Sequence, residues 1–133
     1  MGQQQLHLIV LGVILVFFSV AVGIASFSSN ALERNRDAVI MDLNNLSLQA
    51  KSYYKKSDEL GGGNYSFADY EIPGLMEENE NGNYRILSVR SQEIVFQGTG
   101  VEKEAGSGCT QSDFIRYNLI VTPNGENVLL KLN

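Results

Sequence analysis

The chain has 133 residues, enough for one domain of ordinary size and not two. Its 10 Lys+Arg and 15 Asp+Glu give a net charge of −5 with no basic run, which argues against nucleic acid as a partner, since phosphate binding needs clustered Lys and Arg. One cysteine excludes an intrachain disulfide and any multi-cysteine metal site, and one histidine with no tryptophan narrows the catalytic options.

Charge divides the chain. Residues 1–57 carry five basic side chains against three acidic ones, whereas 58–133 carry five against twelve, and nothing charged precedes Glu33. The expected organisation is a long N-terminal helix over 1–57 and an acidic, globular β head over 58–133.

From Leu6 to Phe27 the chain runs 22 residues without a charge. As a helix this segment is about 33 Å long, enough to cross a hydrocarbon core. Its fifteen large apolar residues point in every direction, and burying them is worth on the order of 30 kcal/mol. A head of 76 residues cannot wrap such a rod and keep a core of its own. Something outside the chain must cover it. A cleaved signal peptide is not expected, because Gly2-Gln3-Gln4-Gln5 is not basic and the apolar run exceeds an ordinary h-region. Leu6 also stands where a myristoylation signal wants Ser or Thr.

The helix is expected to continue. Leu32, Val39, Leu43, Leu46, Ala50 and Tyr53 follow at spacings that keep one face apolar, with Glu33, Arg34, Asp37, Asp42 and Lys51 between them. Lys55, Lys56 and Gly61-Gly62-Gly63 mark its end. Ser28-Ser29-Asn30 is the expected place for any break, since these side chains compete for backbone hydrogen bonds.

Residues 64–82 read as an irregular connector. Tyr84–Arg90 and Glu93–Thr99 read as a hairpin, and Ile115, Tyr117, Leu119 and Val121 alternate as a half-buried strand. An Asn124-Gly125 turn then leads to Val128, Leu130 and Leu132 with the same alternation. The expected fold class is therefore α+β: a long helix, apolar all round in its first half and amphipathic in its second. The second half packs on a small four-stranded antiparallel sheet with one apolar face. Leu32, Val39, Leu43, Leu46, Ala50 and Tyr53 are the expected helix-to-head contacts.

This layout resembles the type IV pilin superfamily, including the pseudopilins of secretion systems. Local likeness rests on the opening GQQQLHLIVLGVILVFF and on LGGGNYSFADYEIP after the helix, which are similar to short pilin-like bacterial proteins. The chain departs from the family in lacking a basic leader and a Phe-Thr-Leu-Ile-Glu pentapeptide, and with them the acidic fifth residue. A cut after Gly2 would put His7 in that place, and no such cut is expected. The resemblance implies a homopolymer, an inner-membrane pool before assembly, an assembly ATPase, a platform protein, and a final place at the cell surface. Leu6, Leu8, Ile9, Leu11, Gly12, Ile14, Leu15, Phe17, Phe18, Ser19, Val22, Gly23 and Phe27 are the expected polymerisation core.

Gly12, Ser19, Gly23 and Ser26 recur at steps of 7, 4 and 3, a small-residue seam of the kind that lets helices approach in an apolar medium. His7 reads as a polar contact at the foot of the rod, or as an interfacial residue. The acidic run Glu77–Gly82 fails the EF-hand spacing, and Gly98-Thr99-Gly100 begins a dinucleotide fingerprint that Lys103 ends. Cys109 reads as a free thiol or an intersubunit contact. No catalytic residue, cofactor or metal is expected.

The expected function is thus a structural filament subunit. A single-span protein with a small extracytoplasmic interaction domain is the alternative, beside a pseudopilin that forms a short piston. Arg34 and Arg36 after the span nominally favour a cytoplasmic head, which conflicts with the first reading.

Overall fold

A computed structural model describes residues 2–103, 114–125 and 127–132. Helix α1 runs unbroken over Gly2–Lys55, about 80 Å at the standard rise. The break expected at Ser28-Ser29-Asn30 does not occur: all three residues are helical. Polar side chains lower helix propensity by only tenths of a kcal/mol, and no proline or glycine adds to them there.

The helix ends where its last carbonyls find partners outside it. The backbone amides of Gly63, Asn64 and Tyr65 donate to the carbonyls of Tyr53, Lys56 and Tyr54 at 2.8, 3.0 and 2.8 Å, which satisfies acceptors that the helix itself leaves open. A 3-10 turn, Asp58–Leu60, intervenes and closes on Gly61 at φ +73, a conformation that glycine adopts without strain.

The connector is more ordered than expected. A short helix α2, Gly74–Glu77, leads into β1, Glu78–Asn79, which reverses into β2, Gly82–Arg90. The Asn79 side chain makes the reversal by accepting from the amides of Asn81 and Gly82 at 2.9 and 3.1 Å, an Asx-type turn. Strands β3 (Glu93–Lys103), β4 (Phe114–Val121) and β5 (Asn127–Lys131) complete an antiparallel sheet in the order β1-β2-β3-β4-β5. The sheet thus has five strands rather than four. Two residues make the difference, and β1 exists because Asn79 folds the chain back at that point.

Helix α1 lies across β3 and β4. Val39, Leu43, Leu46 and Ala50 are completely buried against Tyr84, Ile94, Phe96, Ile115, Tyr117, Leu119 and Val121. The connector adds Phe67, Tyr70 and Ile72 to the same core. Tyr70 stands edge-on to Tyr53 and Phe96, at centroid distances of 5.4 and 6.0 Å, the geometry that aromatic quadrupoles favour.

The last strand departs from expectation. Val121 pairs with Asn127, Leu119 with Leu129 and Asn118 with Leu130. A two-residue Asn124-Gly125 loop would instead set Val121 against Val128. Pro123, whose fixed φ suits the second place of a turn, starts the turn one residue earlier. The Gly125 amide accordingly donates to the Thr122 carbonyl at 3.4 Å, and Gly125 sits at φ +96. A one-residue slip flips every side chain of a strand. Val128 and Leu130 therefore lie on the face away from α1, and β5 is exposed along its whole length.

Candidate assembly surface

All fifteen large apolar side chains between Leu6 and Phe27 remain exposed, from 44% at Ile14 to 78% at Phe27. Among the described residues nothing covers the rod, and the most apolar window of α1, long enough to cross a membrane, is 0% buried. The polymerisation residues expected from sequence are therefore displayed together along the uncovered first half of α1. Gly12 and Gly23 have open space where a side chain would stand.

Two polar groups on the rod are satisfied locally. Ser19 Oγ donates to the Leu15 carbonyl at 2.8 Å, and the His7 ring lies with Nδ1 2.6 Å from the Gln3 carbonyl. Such back-bonding hides the polar atom along the helix, so the surface offered outward is almost entirely aliphatic and aromatic.

The helix-to-head contacts behave differently. Val39, Leu43, Leu46 and Ala50 are buried, and Leu32 and Tyr53 are half-buried at the rim of the core. Sequence reasoning missed three polar partners of this interface. Asn35, only 8% exposed, ties the turn between β1 and β2 to β3. Its Nδ2 donates to the Asn81 carbonyl at 2.7 Å, and its Oδ1 accepts from the amides of Val101 and Glu102 at 3.1 and 3.2 Å. Ser47 Oγ accepts from Asn127 Nδ2 at 3.1 Å, tying the start of β5 to the helix.

Asp42 is the third partner. Its Oδ2 accepts from Asn79 Nδ2, Asn81 Nδ2 and the Tyr84 hydroxyl at 2.9, 2.8 and 2.7 Å. Burial pushes the Asp42 carboxyl up, but the bonds from Asn81, Tyr84 and Asn79 together outweigh it and hold the carboxyl below its ordinary value. Burial, then the carboxylate beside it, drives the Tyr84 hydroxyl far upward, so it stays a donor. The acidic run Glu77–Gly82 is thus, through Asn79 and Asn81, partly a latch on α1.

The other missed signal is the Gly98-x-Gly100 alternation within β3. A Cβ at Gly98 would come within 2.9 Å of Val39, and one at Gly100 within 2.3 Å of Asn35 Oδ1. Two glycines on one face of a strand mark a close backbone approach, and here the approaching body is α1. The far face of the sheet carries a polar ladder: Arg85 Nε donates to Gln97 Oε1 at 2.8 Å, and Gln97 Nε2 to Asn118 Oδ1 at 3.1 Å. Glu77–Glu80 are exposed, whereas Ser66 and Asn81 are half-buried. Most of Glu102–Asp113, including Cys109, lies outside the described residues.

Comparison of the chain with family models, with curated proteins and with solved structures finds no match in any of the three.

Proposed function

We propose that this chain is the structural subunit of a type IV pilus-like helical filament at the cell surface, polymerising through Leu6–Phe27. The observation that carries the reading is an uncovered apolar rod, continuous with a helix that docks its own head on one side only. Such a subunit can wait in a membrane and then exchange lipid for sibling helices. Apolar burial is nearly the same in both settings, and packing contacts are gained. By family resemblance, an assembly ATPase and a platform protein drive the transfer from the inner membrane, and the acidic heads line the outside. No catalytic step belongs to this role.

The test is negative-stain microscopy of material sheared from cells, with the sheared protein identified by mass spectrometry. Long fibres built of this chain are expected. Recovery only from detergent-solubilised membranes would overturn the reading in favour of the single-span protein. Gly23→Leu, which fills the small-residue seam, is expected to lower fibre yield or alter fibre spacing.

A further inference from the structure

The two edges of the sheet are unlike. On one side β1 has only two residues. The strand behind it, β2, breaks register between Ile86 and Ser88 and carries Arg85 and Arg90. Short length, bulges and charge are the means by which an edge is kept from pairing with another chain. At the other edge, β5 pairs with β4 in unbroken register and contains no proline. It sets Val128, Leu129 and Leu130 in a row at 38–48% exposure.

The backbone defines what such an edge accepts. The Leu132 amide donates to the Arg116 carbonyl at 2.9 Å. In the alternating antiparallel pattern Leu130 and Val128 then also bond to β4, and Asn127 and Leu129 turn their N–H and C=O groups outward. Among the described residues no strand lies beyond β5. An extended backbone completes groups so spaced. We infer that this backbone is β5 of a second copy, paired antiparallel about a twofold axis through Leu129.

Asn127-Val128-Leu129-Leu130-Lys131 is self-complementary in that register. Leu129 exchanges both N–H···O bonds with its counterpart, and Val128 stands against Leu130 of the second copy. Axes through Val128 or Leu130 keep the same bonding pattern but pair three residues of β5 instead of five. Val128 and Leu130 of both copies then form one apolar patch on the face away from α1. Helix α1 lies over β3 and β4, so the two helices stand about four strand spacings apart, roughly 19 Å, and do not collide. The axis is normal to the sheet and reverses the direction of α1. The two rods therefore point opposite ways. The contact joins copies from two assemblies of opposite polarity, not neighbours in one membrane or one polar filament, and so goes beyond the filament reading.

The experiment is disulfide trapping of the full chain in detergent micelles, in a Cys109→Ser background. Leu129→Cys is expected to form dimers at least about tenfold above Val128→Cys or Leu130→Cys alone. Residues level across the axis lie about 5.5 Å apart, within disulfide reach, whereas diagonal ones are about 7–8 Å apart. An equal mixture of Val128→Cys and Leu130→Cys chains is expected to restore the yield, because those two positions are level with each other. Adding Val128→Lys and Leu130→Lys to Leu129→Cys sets like charges opposite one another across the axis. That variant is expected to lose trapping about tenfold, with the near-UV circular dichroism of the head unchanged, since both positions are exposed in the single copy. Equal yields from the three single cysteines, no trapping at all, or trapping that survives the lysines overturns the inference. Trapping in micelles needs no fibre, so its failure leaves the filament reading to the microscopy of sheared material, and a chain without fibres leaves the trapping result unaffected.

Discussion

Leu8 and Leu43 are the same residue on the same helix, yet Leu8 is 68% exposed and Leu43 completely buried. Around Leu43 the apolar residues form one stripe, polar residues flank it, and a sheet of matching width covers it. Around Leu8 they occupy every side, and a single sheet cannot cover a cylinder. The number of apolar faces, more than their hydrophobicity, decides whether a helix is completed by its own chain or from outside.

Substitutions can break this contrast from either side. The largest expected effect is at the stripe. Leu43→Ala should destabilise the head by about 3 kcal/mol, through lost burial and a cavity that the sheet cannot close. Leu8→Ala should leave head stability unchanged within about 0.5 kcal/mol. Both are measurable by denaturing the full chain in detergent micelles while following tyrosine near-UV circular dichroism. A comparable loss from Leu8→Ala would mean that the rod folds back on the head.

Gly98→Val comes next, at about 2 kcal/mol, because α1 must retreat from β3 or Val39 must leave its rotamer. Asp42→Ala should cost about 1–2 kcal/mol by leaving three donors without their shared acceptor. Its pH dependence has a definite sign. The folded carboxyl titrates below its ordinary value, so its contribution is complete above about pH 4 and is lost as pH falls through the lowered value. The stability gap between native chain and Asp42→Ala should therefore close on acidification. A gap that is constant with pH would remove the carboxylate from the account.

Smaller effects sharpen the comparison. The Tyr70 hydroxyl is buried and has no hydrogen-bond partner among the described residues, and burial pushes its titration up. Tyr70→Phe should be neutral or stabilising by up to about 1 kcal/mol. Val128→Thr with Leu130→Thr should change head stability least, by about 0.5 kcal/mol, because both lie on the uncovered face.

Periodicity made the large elements legible. The charge-free run, the stripe from Leu32 to Tyr53 and the alternation through Ile115–Val121 each reflect a face that one partner buries, and a face leaves a regular mark. The polar anchors leave no such mark. Asn35 and Asp42 look like any helix-surface residues, and their role depends on Asn79, Asn81 and Tyr84, about forty residues away. The β5 register turned on whether Pro123 or Asn124 opens the turn, a one-residue choice that reverses a whole strand. Gly98 and Gly100 were open to reading as a close-approach signal, since two glycines on one face of a strand serve no packing purpose of their own.

The most direct measurement is sedimentation of the purified full-length chain after detergent is withdrawn. Large polymers, or material that stays dispersed only when lipid is supplied, are expected from a rod that its own head leaves bare. A stable, compact monomer in plain buffer would contradict that account.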